Sequence, residues 1–274
     1  MIVNTILTSI WDGRESSTVQ KYCSYLRKFL EYLNVNNMSS DLPFSSLSAA
    51  IYITKLKNEN FSKSSIDSTM AALKWIHSFI PGINYVNNPM NDEFLSKIMS
   101  SSKRRESTQK KQKLPILGSH ICEMIQQSNL KDAIELRDCL IVSFAYCLLL
   151  RHDEFSHLVL NHFEENTLGL KIFIPKSKTD KYRNGTHVLL NKSLDPISPF
   201  MLFKSYISMI GLCIGENHFL FHPLKKGKTR YTSENKILSY TSYRDIVKRL
   251  VVKIGLDPSL YGTHSLRSGG ATAL

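Results

Sequence analysis

The stretch Tyr261-Gly262-Thr263-His264-Ser265-Leu266-Arg267-Ser268-Gly269-Gly270 decides how this chain is read. Gly262 can take a turn and Thr263 can cap a new helix, which places His264 and Arg267 in its first turns, three residues apart and on one face. An imidazole and a guanidinium then point the same way, and the amides of a helix start add positive potential. Such a place attracts an anion, most simply a phosphate diester. An isolated His-x-x-Arg also describes an ordinary solvated helix start, so the residues upstream must decide.

Upstream, Arg151 and Glu154 stand three apart at the end of the apolar run Cys139–Leu150. A guanidinium at the mouth of a core helix is costly unless paired, and Glu154 is placed to hold it; an exposed i to i+3 ion pair is the plainer alternative. His152, His157 and His162 follow at intervals of five, which puts successive rings about 140° apart on a helix and off a common face, so a metal array is not expected. Lys176, Lys178 and Lys181 fall in a stretch, 175–185, that reads as a hairpin tip with Asn184-Gly185 as its turn signal. They are either solvated tip residues or the source of one lysine that reaches a groove and protonates a leaving oxygen.

The bulk numbers narrow the partner. The 274 residues carry 35 Lys and Arg against 23 Asp and Glu, a net charge of +12 with a pI near 9.4, which favours a polyanion such as nucleic acid. Five scattered cysteines, without a Cys-x-x-Cys pair, point away from a disulfide framework or a Cys-based zinc site and fit a reducing compartment. The longest apolar run has twelve residues, too short to cross a bilayer. The first eleven residues lack the basic head of a secretory signal. An intracellular protein is expected, nuclear if the source is eukaryotic, with no membrane partner. There is no G-x-x-x-x-G-K-[ST] loop, no G-x-S-x-G and no paired acidic cluster, which counts against NTPase, hydrolase and two-metal nuclease chemistry. No cofactor, nucleotide or metal is expected.

Apolar periodicity predicts four helices in the first hundred residues. One runs through Val19, Tyr22, Leu26, Phe29, Leu30 and Leu33; one through Ala49–Leu56; one from Ser64 or Ser65 to Pro81-Gly82; and one after Pro89 through Phe94, Leu95, Ile98 and Met99. Residues 1–100 thus form a helical domain. Residues 101–114, with Lys103, Arg104, Arg105, Lys110, Lys111 and Lys113, read as a basic linker suited to lie along a phosphate backbone; a solvated linker or nuclear-import signal is the alternative. Residues 115–274 form a second, mostly helical domain: a helix through Ile121–Ile125, a buried one from Ala133 to Leu150, the hairpin Leu170–Ile174 with His187–Leu190, and helices at Pro199–Ile210 and Tyr243–Ile254. The fold class is mainly α with one small sheet.

Taken in order, Arg-x-x-Glu-x-x-x-Leu after an apolar helix, Lys-Thr-Asp in a following hairpin and a late His-x-Leu-Arg behind a glycine resemble the catalytic domain of the tyrosine recombinases, the phage-integrase family that includes enzymes carried by eukaryotic mobile elements. The first domain, including Thr18–Leu33 and Ala71–His77, resembles that family's SAM-like core-binding domain. The resemblance implies metal-free phosphoryl transfer in DNA recombination and integration. Arg151 and Arg267 would hold the non-bridging oxygens of the scissile phosphate. Lys178 would be the general acid, with Lys176 as runner-up; His264 would donate a hydrogen bond or shuttle a proton; Glu154 would orient Arg151. The two domains would close round duplex DNA, with the linker lysines and arginines, Lys176 and Lys181 on its backbone, and copies of the chain would assemble there as a homo-oligomer.

One element departs from the pattern. The family's attacking Tyr follows the His-x-x-Arg helix, yet only seven residues follow Arg267 and none is Tyr, His or Trp. Tyr261, Tyr243 and Tyr240 precede the motif, and Tyr261 is expected to pack against the helix start. The chain is therefore expected to be truncated before its nucleophile and inactive alone. The alternatives are a non-catalytic duplex-DNA-binding regulator derived from a recombinase, and a basic helical scaffold with no nucleic-acid role.

Overall fold

Each half of the chain gathers its own apolar side chains. The computed structural model describes residues 16–105, 112–177, 180, 182, 184–195, 197–226 and 231–273, and divides into two units, Met1–Lys110 and Lys111–Leu274.

The first unit is a helical bundle: α1 Ser16–Val35, α2 Ser46–Asn58, α3 Lys63–His77 and α4 Glu93–Arg105, with a 3₁₀ turn at Pro89–Asn91. Phe29, Leu33, Ile53, Leu73, Met90 and Leu95 are buried together, with Phe29 edge-on to Phe44 at 5.2 Å. Leu30, read as part of the buried stripe, lies on its flank and is exposed. The helix α3, expected to start at Ser64 or Ser65, starts at Lys63 behind its cap Ser62, whose hydroxyl accepts from Ser65 N. That helix also stops at His77, short of Pro81-Gly82, where the Ser78 hydroxyl takes the Trp75 carbonyl at 2.6 Å and competes with continued helical bonding. At the other boundary α4 runs through Arg105, so residues 103–105 end a helix and do not begin a coil.

In the second unit, α5 Gly118–Gln126 and α6 Ala133–Cys147 are followed by the four-residue α7, His152–Phe155. Next come β1 Phe163–Glu165, β2 Gly169–Ile174, β3 Thr186–Asn191, α8 Pro199–Ile210, β4 Leu224–Lys226, β5 Tyr231–Ser233, α9 Tyr240–Lys253 and α10 Thr263–Ala273. The strands β1, β2 and β3 form one antiparallel sheet, Ile172 lying opposite Phe163 and Val188. Alternation sends Leu170, Ile172 and Ile174 inward. A second antiparallel pair, β4 with β5, and the strand β1 carry too few residues to show a period, and the sequence reading of one hairpin missed them.

At the centre lies α6, buried on all sides from Leu136 to Ala145. Its Phe144 stacks on Phe203 of α8, which stacks in turn on Phe163 of β1 at 5.1 Å. Burying each such ring contributes roughly 2–3 kcal/mol. The helix ends at Cys147 rather than Leu150, because Leu149 takes a left-handed backbone with φ of 53°. That turn swings the chain out of the core and begins the candidate site.

Candidate functional site

Arg151 precedes α7 in extended backbone, and Glu154 at the third helical position reaches back to it. The Glu154 carboxylate accepts from the Arg151 amide at 2.7 Å and from Arg151 Nη1 at 2.9 Å, while being only 6% exposed. This is one half of a capping box, with the guanidinium added. The same carboxylate lies 3.9 Å from Nη1 of Arg267, whose guanidinium also donates to the Leu149 carbonyl. Two arginines separated by more than a hundred residues therefore share one carboxylate. Their side chains remain 31% and 37% exposed, so a solvent-side face of each stays open to an anion. The group of two cations and one anion keeps an excess positive charge.

The element that brings Arg267 in is α10. Thr263 is its first helical residue and not its cap; the reciprocal bonds belong to Gly262 and Ser265, Gly262 N donating to Ser265 Oγ at 3.0 Å and Ser265 N to the Gly262 carbonyl at 2.9 Å. The start of the second unit clips onto this helix through Leu114 N to Leu260 O and Ile116 N to Ser265 O, both 2.9 Å. Gly269 and Gly270 allow the approach: a Cβ on Gly269 would overlap the Ile116 carbonyl, and one on Gly270 the Tyr146 carbonyl. With Leu266 fully buried beneath, the helix has one seat, and it delivers Arg267 to the end of α6. His264, three residues before Arg267 on the same face, is exposed.

Other predicted residues fall in three groups. Lys178 and Lys181, Lys110 and Lys111 lie outside the described residues. Lys176 is exposed just after β2, in a loop braced by Asp180, whose carboxylate accepts from Gly185 N at 2.8 Å. Lys113, expected in a linker free of any core, donates to the Ser259 carbonyl and is held against the second unit. The three histidines do not share one helix, and each meets a different backbone group. His152 Nε2 meets the Leu238 carbonyl at 3.0 Å, His157 Nδ1 the Asp153 carbonyl at 2.8 Å, and His162 Nδ1 accepts from Val159 N. Burial lowers the pKa of His152, its carbonyl partner pulling weakly the other way. Tyr261 is buried, its ring edge-on to His120. Among the described residues no three His, Cys, Asp or Glu side chains group to hold a metal ion.

Sequence reasoning missed the carbonyl of Leu149 as the second anchor of Arg267; a leucine in a left-handed turn leaves no trace in composition. It also missed a buried pair deeper in the same unit. Arg137 donates to Asp138 Oδ1 through Nε and Nη2, at 3.0 and 2.8 Å, and through Nη1 to the His222 carbonyl, while Arg249 of α9 takes the other oxygen of Asp138. That cluster ties α6 to α9.

Comparison with known proteins agrees with this architecture. Residues 8–80 match the family model for the phage integrase N-terminal SAM-like domain. An integrase/recombinase xerD homolog of Selenomonas ruminantium is 24% identical over 263 residues, covering 95% of this chain and 74% of the relative. Among solved structures, the XerH site-specific recombinase bound to a palindromic difH substrate superposes with a TM-score of 0.63 at 18% identity, over 93% of this chain and 67% of that one. The Tn1549 transposon integrase in complex with transposon right-end DNA gives 0.60 at 15% identity, over 94% and 86%. The fold is a SAM-like helical domain followed by a domain with the fold of a recombinase catalytic domain.

Proposed function

We propose that this chain is a tyrosine recombinase of the phage-integrase family, which binds duplex DNA and grips a backbone phosphate between Arg151 and Arg267. The observation that carries the reading is the single buried carboxylate of Glu154 that gathers both guanidiniums from segments far apart in sequence. A carboxylate so placed costs desolvation and is retained where orientation of its partners matters. The XerH recombinase and the Tn1549 integrase among the structural relatives are bound to DNA, which supports the same substrate class here.

On this reading the two guanidiniums offset the charge of a pentacoordinate phosphate, a task for fixed donors in a partly dry site. His264, exposed one turn before Arg267, supplies a further hydrogen bond or proton. Lys178, with Lys176 as alternative, protonates the departing 5′-oxygen. The lysines and arginines of residues 103–113, with Lys176 and Lys181, add non-specific backbone contacts. The covalent step belongs to a tyrosine that in the family follows the His-x-x-Arg helix. No tyrosine follows Arg267 among these 274 residues, and the reading here covers the grip on the phosphate. Origin in a eukaryotic mobile element, action in a nucleus and assembly of several copies on DNA belong to the same proposal.

The test is a gel-shift on duplex DNA across a salt series, with Arg151→Ala and Arg267→Ala beside the wild type, and a nicked suicide substrate resolved under denaturing conditions. Salt-sensitive binding weakened about tenfold or more by either substitution is expected, since charged hydrogen bonds of roughly 1.5–3 kcal/mol are lost. Binding indifferent to salt and to both substitutions would sink the reading. A covalent band from this polypeptide would show that a tyrosine before Arg267 attacks.

A further inference from the structure

Between the two arginine-bearing segments stands a tyrosine that the phosphate reading leaves unused. Tyr240 opens α9 behind its cap Ser239 and is 51% exposed. Its hydroxyl lies 3.1 Å from Oγ1 of Thr263, the residue next to His264. Its ring stands edge-on to His152, the residue next to Arg151, at 5.4 Å and 85°. His152 does not give way easily: it stacks on buried Tyr243 at 5.6 Å and is bonded to the Leu238 carbonyl. Tyr240 thus spans from the neighbour of one phosphate-side residue to the neighbour of another.

A solvent-facing hydroxyl pair adds little to stability, because water satisfies both groups when the pair opens. What the pair does fix is direction. Thr263 begins the first turn of α10, and the orientation of that turn sets where His264 and then Arg267 present their donors. Errors of an ångström at such a place change affinity and rate strongly.

We propose that Tyr240 is a positioning residue of the phosphate site: through Thr263 Oγ1 it sets the first turn of α10 against α7, so that His264 and Arg267 close on the same oxyanion as Arg151. The proposal rests on the reading of that place as a phosphate site.

Orthovanadate, which imitates a phosphoryl group in transfer, serves as the probe, and its binding to the full 274-residue protein is followed by vanadium NMR. Tyr240→Phe keeps the ring on His152 and removes only the hydroxyl. It is expected to weaken orthovanadate binding about fivefold, as one lost hydrogen bond would, with an unchanged melting midpoint. Thr263→Val should do the same, Thr263→Ser should restore binding, and the double variant Tyr240→Phe with Thr263→Val should lose no more than either single one. Wild-type affinity in Tyr240→Phe, additive losses, or failure of Thr263→Ser to restore binding would each overturn the assignment. Arg151→Ala and Arg267→Ala separate the two levels: if they bind orthovanadate as well as the wild type, or if the wild type leaves the vanadium signal unperturbed, the phosphate site itself is refuted.

Discussion

Glu154 has two guanidiniums to satisfy and almost no water to help it. Its carboxylate is 6% exposed, whereas Arg151 and Arg267 keep about a third of their side-chain surface in solvent. Glu154→Ala should therefore cost about 2–3 kcal/mol in denaturant unfolding, below the 3–5 typical of a fully buried pair, because the orphaned cations recover some hydration. Its effect on anion affinity separates charge from orientation. Losing a negative charge alone would tighten orthovanadate binding; losing the anchor of both arginines should weaken it, and weakening is expected. Of the candidate site's geometry, the pairing of Arg151 with Glu154 and the placing of His264 and Arg267 on one helix were legible in the sequence, because each pair has helical spacing. The Leu149 carbonyl and the Tyr240–Thr263 hydroxyl pair were not, since backbone turns and long-range contacts have no local pattern. A different residue gives a pH prediction. His222 is fully buried with Nε2 unpartnered among the described residues, and burial depresses its pKa to about 4. The unfolded chain then binds more protons than the folded one between pH 6.5 and 4, so stability is full above the unfolded pKa and falls as pH drops through that window. A loss of about 1–2 kcal/mol between pH 7 and pH 5 is expected from this group. His222→Phe should show a correspondingly shallower slope in urea titrations at the two pH values; an identical slope would remove His222 from the account.

At the level of elements, the seat of α10 is set by two glycines against two carbonyls. Gly269→Ala or Gly270→Ala would push the helix off Ile116 or off Tyr146, a clash of backbone that no rotamer relieves. Each should destabilise by roughly 1–3 kcal/mol and, by moving Arg267, weaken DNA binding beyond what the stability loss explains. Gel-shifts at a temperature well below both melting midpoints would separate the two effects, and intact binding would show that α10 is not what holds Arg267. The Gly-Gly pair was visible in the sequence, but only the packing partner reveals which face it serves. The helix Pro199–Ile210 was read with the bounds it has; the structure adds its Ser198 cap and left-handed Gly211 end. Elements of three residues, β1, β4 and β5, were invisible, because three residues are too few to show a two-residue period. The end of α6 was overrun in the reading for a related reason: Leu148–Leu150 are as apolar as the helix before them, and only the left-handed turn at Leu149 tells them apart.

For the molecule as a whole, two separate cores and a large positive charge govern behaviour that no single side chain does. Phe29, Leu33 and Ile53 belong to one core, Phe144, Phe203 and Phe221 to another, so His222→Phe should alter the acid sensitivity of the second unit's unfolding alone. The net charge of +12 raises the rate at which any polyanion is met, yet it does not say which cations touch phosphate. The salt dependence of affinity does. Each protein cation that displaces a condensed counterion from duplex DNA contributes about 0.9 to the slope of log K against log salt. If Arg151 and Arg267 both contact the backbone, the double variant Arg151→Ala, Arg267→Ala should show a slope shallower by about 2, measured by fluorescence anisotropy between 50 and 300 mM salt. Were the two arginines only distant contributors to the field, affinity would drop at low salt while the fitted counterion number stayed near that of the wild type. A slope unchanged by the double substitution would therefore place the phosphate elsewhere on this surface, whatever the total charge attracts.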